Sequence, residues 1–446
     1  MTMTASSNGK PAGDRRLIAA RQLAEAFAQS LDVDASVKLW DGSRIPLGTN
    51  VTSSLTLAIN TPGALTSLVR WPSLDRLIRL YAHGNIDLEG GSLIEFGERL
   101  GQDHVRRRLR GMRKLSLLRL AMPLLWGSAE KAATSRGYKG DHVGAEPEAR
   151  DETAFIQFHY DVSNDFYQLF LDPEMIYTCA YFTDWQNKLE MAQSDKLDMI
   201  CRKLRLKPGD RLLDIGCGWG GLICHAARNY GVHAVGVTLS QEQFDLAQTR
   251  IAERGLGDRV EVYFKDYRDV EGTFDKISSI GMYEAIGVGA YPEYFTKIRG
   301  LLAEDGVFLN HGITRRAKRK KVKFSRRPEQ RALLRYIFPG GELDDIGHTL
   351  REMEIAGFEV HDVEGWRQHY ALTTRMWYDR LSARKEEAIA LVGPQTYRIW
   401  VAYLAGCSLA FTRGSARIYQ TVATKSAKGD SPLPQTRADL YAEKQS

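Results

Sequence analysis

Residues 211–221 read Arg-Leu-Leu-Asp-Ile-Gly-Cys-Gly-Trp-Gly-Gly. A short apolar run ends in Asp214, and a turn rich in glycine follows at Gly216, Gly218, Gly220 and Gly221. Glycine lets a backbone approach a ligand closely, so a strand, turn and helix of this kind can cradle a nucleotide. A purely structural glycine turn is the alternative. Further polar residues close later apolar runs: Thr238, Asp266, Glu284 and His311. Ligands of open parallel sheets bind beyond the carboxyl ends of the strands. Binding and proton-transfer chemistry should therefore collect at these positions.

The elements that must position them alternate regularly. The pattern predicts strands over 211–215, 233–238, 260–264, 274–280 and 306–310, and helices over 188–204, 242–254 and 291–302. Strands alternating with helices of this length imply an α/β fold with a Rossmann-like, doubly wound parallel sheet. We assign it to residues 151–425. Ahead of it, Leu17, Ala20, Leu23, Phe27 and Leu31 have helical spacing. Alternation over 36–60 predicts a small antiparallel sheet, and 72–82 turns helical again. Residues 15–100 therefore form a separate α+β domain that resembles sterol-carrier-like lipid-binding modules; a generic lid is the alternative. Residues 1–14 read as a disordered lead, 101–150 as a basic and then apolar helical connector, and 426–446 as a polar C-terminal tail.

The 446 residues are 43% hydrophobic and 26% charged, as in soluble globular proteins. No apolar run approaches the ~20 residues of a membrane span. Cys179, Cys201, Cys217, Cys224 and Cys407 are scattered and lack metal-ligand spacing, which suggests a reduced, cytoplasmic protein without a structural metal. The net charge of +6 is clustered. Arg106, Arg107, Arg108, Arg110, Arg113 and Lys114 precede the apolar stretch 115–126, and a second cluster spans 315–327. The first cluster, with its apolar neighbour, suits the anionic headgroups of a phospholipid bilayer, met by segment 106–119, better than it suits nucleic acid. A solvated helix face is the bland alternative.

The form Gly-x-Gly-x-Gly-Gly after an acidic residue resembles the first motif of class I S-adenosylmethionine-dependent methyltransferases. Asp214, Gly216 and Gly218 would then line the cofactor. Thr238 and Gln243 stand where many such enzymes place an acid for the ribose, and their hydroxyl and amide can make the same bonds. Asp266 and Tyr267 would hold the adenine amine and stack its ring. More segments extend the likeness: Phe158-His-Tyr-Asp-Val-Ser-Asn-Asp165, Tyr177-Thr-Cys-Ala-Tyr-Phe182, Ser279-Ile-Gly-Met-Tyr-Glu-Ala-Ile-Gly287, Phe308-Leu-Asn-His-Gly-Ile313, Tyr336-Ile-Phe-Pro-Gly-Gly341 and Tyr403-Leu-Ala-Gly-Cys407. In this order they closely resemble the cyclopropane-fatty-acyl-phospholipid synthase family, which includes the mycolic acid cyclopropane synthases.

The resemblance implies methyl transfer from S-adenosylmethionine to a cis double bond of an acyl chain. It also implies a bound bicarbonate as the base, held by Cys179, Glu284, His311, Tyr370 and the backbone at Ile313. Tyr177, Thr178, Gly216, Thr238 and Gln243 would contact the cofactor. Tyr283, Tyr291, Trp366, Tyr370 and Trp377 are candidates to stabilise a cation. The N-terminal 150 residues fit the phospholipid-acting branch, so a peripheral enzyme at the inner membrane face, as a possible homodimer, is expected. Ala285 stands where many members carry histidine, and the product stays open between a cyclopropane and a methyl-branched, methylene or furan-precursor chain.

Overall fold

The computed structural model describes residues 14–101, 105, 107–108, 111, 114–134, 162–317, 328–337, 341–426, 429 and 431–441. Arg106, Arg110, Arg113, residues 158–161, 318–327 and 338–340, and the lead before residue 14 lie outside the described residues. The chain divides into two compact units.

The first unit begins with helix Arg15–Leu31, capped by the Asp14 carboxylate on the Arg16 amide. Strands β1 (Ser36–Lys38), β2 (Arg44–Pro46), β3 (Thr56–Ile59) and β4 (Ile86–Glu89) form a sheet in the order β2-β1-β3-β4. The sheet is mixed, because β1 pairs parallel to β3, and this corrects the antiparallel expectation. A parallel pair needs a crossover, supplied here by β2 and the loop behind it. Helices Pro62–Arg70 and Leu74–Ala82 lie between β3 and β4. Helix Lys114–Leu125 sets Leu117, Leu120, Ala121 and Leu124 on one face, and Leu124 packs with Ala19 and Leu23 of the first helix. Where the sequence assigns 151–425 to one domain, the structure groups Pro394–Ala402 with this first unit. Arg398 explains the grouping: it bonds the Tyr81 and Ile86 carbonyls, pairs with Asp87 at 2.9 Å, and covers the Tyr81 ring at 4.1 Å.

The second unit holds seven strands: β5 (Arg211–Ile215), β6 (His233–Thr238), β7 (Val260–Phe264), β8 (Phe274–Ile280), β9 (Leu302–Arg315), β10 (Phe358–Gly365) and β11 (Ala416–Lys425). Their order is β10-β11-β9-β8-β5-β6-β7. β5 to β9 run parallel, and β11 is antiparallel to both β9 and β10. The strand order reverses between β5 and β8, and that point opens a crevice at their carboxyl ends. Alternation along β5 sends Leu213 and Ile215 to one apolar layer and Leu212 to the other. Helices Leu189–Leu204, Gly221–Tyr230 and Gln241–Glu253 pack into the Leu212 layer, and Tyr291–Leu301 and Ile346–Ile355 into the other.

The five strands expected from sequence are all present, four with unchanged bounds; β9 is longer, and β10 and β11 are additional. Helix Ala438–Tyr441 docks the C-terminal segment: Leu440 is buried, and Arg205 pairs with Asp439 at 3.1 Å. Gly312 in β9 is required by crowding, because a Cβ there would sit 1.7 Å from the Tyr283 ring. Replacing Gly312 with alanine should lower unfolding free energy by at least ~1–3 kcal/mol through overpacking, seen as a lower denaturant midpoint. An unchanged midpoint would show that the ring moves aside freely.

Candidate active site

The glycine turn follows β5 directly. Gly216, Gly218 and Gly220 have φ of 76°, 54° and 81°, the left-handed region that glycine enters without strain. The Gly216 and Cys217 amides both donate to the Val237 carbonyl, at 2.9 and 3.1 Å, which ties the turn to β6. A Cβ on Gly218 would meet no atom within 4 Å, so space is open above the turn. At the end of β6 the Thr238 hydroxyl donates to Gln243 Oε1 at 2.7 Å, and the Ser240 side chain caps the helix that carries Gln243. The carboxamide is thereby oriented with its NH2 left to donate. Asp214 is buried and accepts from the Ser278 hydroxyl at 2.7 Å. Burial pushes its carboxyl up to about 6, against that hydrogen bond and the charge of Lys196.

Two expected cofactor residues are engaged elsewhere. Asp266 caps the Arg268 amide and pairs with the Arg268 guanidinium at 2.7 Å. The Tyr267 ring is buried in the core, edge-on to Tyr294, with the Arg268 guanidinium 5.7 Å from its centre.

The remaining candidates gather around the ends of β8 and β9. Glu284 is partly exposed but turns its carboxyl inward: Oε1 accepts from the Ile313 amide at 2.5 Å, and the buried Oε2 has no partner among the described residues. Burial raises its carboxyl to about 7, opposed by the backbone bonds. In this structure the Ile313 amide donates to Glu284. His311 Nδ1 lies 3.2 Å from Gln420 Nε2, and His311 Nε2 has no partner among the described residues. Burial, with the charges of Lys196 and Lys203, holds this imidazole well below its usual range, so it is neutral. The Cys179 thiol is buried beside the Ala180 carbonyl at 3.3 Å and the Trp366 carbonyl at 3.8 Å. Burial pushes it well above the usual thiol range, so it is no thiolate nucleophile.

The aromatic candidates fall into two groups. Tyr283 and Tyr291 pack 5.3 Å apart in the core layer behind Glu284. Trp366 meets the His311 ring edge-on at 5.1 Å. Tyr370, on helix Arg367–Ala383, packs 6.0 Å from Trp377 and 4.5 Å from Phe411, and Trp377 lies 5.1 Å from Tyr177. The Tyr177 hydroxyl donates to Tyr403 at 3.3 Å. The indole nitrogens of Trp366 and Trp377 are buried without partners.

Three participants were not singled out from sequence. Gln420 reaches His311 because β11 pairs antiparallel with β9 in the register Gln420↔His311. A polar residue between buried Ile418 and Val422 was its only signal. Asn164 accepts from the Trp219 indole at 2.6 Å and so anchors the glycine turn to residues 163–168. Lys196, fully buried, donates to the Thr178 hydroxyl at 2.9 Å.

The residues present fit a nucleoside-type cofactor and a small hydrogen-bonding group. The open space above Gly218 and the oriented Gln243 amide suit the former. The orphaned Glu284 Oε2 and His311 Nε2 suit the latter, since buried polar atoms ordinarily have partners.

Comparisons with known proteins bear on the cofactor. The family model described as "Mycolic acid cyclopropane synthetase" matches residues 148–421. The chain is 38% identical over 418 residues to a Pseudomonas putida protein described as "Probable fatty acid methyltransferase", covering 93% of this chain and 98% of that one. It is 40% identical to the cyclopropane-fatty-acyl-phospholipid synthase of Escherichia coli (strain K12), covering 59% of this chain and 66% of the relative. The crystal structure of mycolic acid cyclopropane synthase CmaA1 complexed with SAH and CTAB superposes with a TM-score of 0.59 at 35% identity, over 62% of this chain and all of that one.

Glu284 yields a pH-dependent prediction. Its folded value of about 7 lies above the ordinary 4.5, so its burial costs nothing below pH 4.5, and the stability lost grows as pH rises from 4.5 and is complete once pH has passed through 7. That difference corresponds to about 3 kcal/mol at most. Glutamine keeps the Ile313 bond and cannot ionise. Glu284→Gln should therefore match wild type near pH 5 and melt several degrees higher at pH 8. Equal melting temperatures at pH 8 would show that the carboxyl is not held neutral.

Proposed function

Because the chain belongs to the mycolic acid cyclopropane synthetase family of S-adenosylmethionine-dependent methyltransferases, we propose that it methylates the cis double bond of unsaturated acyl chains in membrane phospholipids and closes a cyclopropane. What supports this most is a set of acid–base groups removed from water: Cys179 and His311 are buried and held neutral, and the inward-turned Glu284 carboxyl is raised to about 7. S-adenosylmethionine, when bound, supplies an electrophilic methyl on a sulfonium. An alkene that takes this methyl becomes a carbocation, which water or a charged side chain would capture. The protein therefore needs a dry site with neutral hydrogen-bonding groups and aromatic faces.

Each residue has a part in that chemistry. Glu284, near 7, holds a proton that it can donate or share through Oε2. Its Oε1 is fixed by the Ile313 amide, so the backbone acts through the carboxyl. His311, neutral and braced by Gln420 and Trp366, offers Nε2 as acceptor or donor according to its tautomer. These two atoms, with Tyr370, would hold a bicarbonate that supplies the base for loss of the methyl proton. Trp366, Tyr370 and Trp377 would stabilise the cation, by about 1–2 kcal/mol for each desolvated face. Thr238, Gln243, Tyr177 and Thr178 would hold the methyl donor.

The N-terminal unit would dock the bilayer from the cytoplasmic side. No helix among the described residues is long and apolar enough to cross a membrane. Helix Lys114–Leu125 turns Leu118 and Met122 outward, and Trp126 beside them is 89% exposed. Arg70 bonds the Leu125 and Gly127 carbonyls at the end of this helix and also approaches Trp71, which is half exposed. Exposed tryptophans with arginines nearby suit a headgroup interface.

Purified protein, vesicles of monounsaturated phosphatidylglycerol and methyl-labelled cofactor test the proposal. Label should appear in cyclopropane acyl chains by mass spectrometry. Label in methyl-branched or methylene chains would replace ring closure with the chemistry of a fatty acid methyltransferase. No label in lipid would overturn the substrate class. Trp126→Ser combined with Arg119→Glu should weaken vesicle co-sedimentation several-fold, more at low salt, because exposed charges are screened. Undiminished binding would remove this helix from the interface.

A further inference from the structure

Helix Leu189–Leu204 buries two lysines seven residues apart, so two turns bring them to one face. They are handled differently. Lys203 pairs with Glu364, has Asp362 at 3.9 Å, and lies 5.2 Å from the Trp366 ring centre. Lys196 is 2% exposed, and among the described residues its ammonium has a single hydrogen bond, to the Thr178 hydroxyl at 2.9 Å, and no carboxylate within ion-pair distance. Taking an ammonium out of water carries a penalty of several kcal/mol, and an apolar residue of the same length would pack there without it. Unpaired buried charge of this kind concentrates at functional sites.

The surroundings of Lys196 are those of the cofactor and base sites. Gln193, one turn earlier on the same helix, donates to the Thr178 and Ile176 carbonyls at 3.0 and 3.3 Å. The helix therefore grips segment 176–178 twice: Gln193 holds its backbone and Lys196 its hydroxyl. Because Thr178 Oγ1 accepts from an ammonium that can only donate, the hydroxyl's own proton is left to donate elsewhere. The charged and titratable groups that feel Lys196 are Asp172, Asp214, Cys179 and His311. Asp172 fixes the loop before Tyr177 by accepting from the Glu174 and Ile176 amides, both at 3.0 Å.

We propose that Lys196 is a positioning residue of the methyl-transfer site, whose ammonium fixes the Thr178 hydroxyl as a donor to the bound methyl donor. This rests on S-adenosylmethionine being that cofactor, and not on the identity of the lipid. Burial lowers the Lys196 ammonium to about 8, with Asp172, Cys179 and Asp214 opposing that fall. Its charge is therefore present at neutral pH and is lost as pH rises through 8.

The test uses the full chain and S-adenosylhomocysteine, with affinity read by calorimetry in the absence of lipid. Lys196→Met and Thr178→Val should each weaken binding about tenfold, and the double variant should be no weaker than either single one, because both remove the same coupled interaction. Wild-type affinity should also fall more between pH 7 and pH 9 than that of Lys196→Met. Additive losses, or identical pH dependence in wild type and Lys196→Met, would reduce Lys196 to core packing. Thr178→Val leaves the buried charge in place, so it carries the test if Lys196→Met fails to fold; unchanged affinity in that variant would overturn the proposal. A chain that binds S-adenosylhomocysteine as expected but labels no lipid would lose the proposed substrate and keep this role for Lys196.

Discussion

Desolvation at the carboxyl edge of the sheet governs this site. Asp214, His311, Cys179 and Lys196 are buried, the Glu284 carboxyl is turned inward, and desolvation is the first cause of the shift in each. It moves all five toward their neutral forms: acids and thiol upward, imidazole and ammonium downward. The shared result is a set of hydrogen-bonding groups in which His311 and Cys179 are neutral and the charges of Asp214, Glu284 and Lys196 are held less firmly than in water. Such a set suits chemistry in which a reactive cation must meet neither water nor a strong nucleophile.

That desolvation follows from strand order. The reversal between β5 and β8 places the glycine turn and the Glu284 segment on adjacent strands, and the parallel neighbour β9 adds His311. β11 then closes the far side, runs antiparallel, and brings Gln420 level with His311. Gly312 leaves room for the Tyr283 ring against β9, in the layer behind Glu284. Helix Leu189–Leu204 covers the other face and contributes two lysines whose charges add to burial in keeping His311 neutral. One strand order, two packed layers and one close approach thus set the protonation states.

The first unit obeys a different logic. Helix Lys114–Leu125 satisfies its inner stripe with Leu117, Leu120, Ala121 and Leu124, yet leaves Leu118 and Met122 in water. Arg70 closes the helix by bonding its terminal carbonyls, which otherwise lack partners. The exposed face of the helix thus keeps large apolar side chains in water beside an arginine.

Local pattern was enough to place β5 to β8 to the residue, because buried parallel strands are short apolar runs punctuated by glycine and polar ends. It was also enough to nominate Asp214, Glu284 and His311, since strand ends are where such sheets hold ligands. The parallel pairing of β1 with β3, the grouping of Pro394–Ala402 with the first unit, and the docking of Ala438–Tyr441 were not legible, because each depends on partners far away in sequence. The same holds for single residues. Lys196 looks in sequence like one more helix lysine, and Gln420 like one more strand glutamine. Only the packed fold removes water from them and sets them against Thr178 and His311. Asp266 shows the converse: its strand-end position was legible, but Arg268 two residues on claims its carboxylate. Sequence by itself determined which groups can do chemistry and on which elements they ride. Tertiary structure decided which of them lose their water and what they then touch, because dielectric environment and hydrogen-bond partners come from non-local contacts that no local pattern encodes.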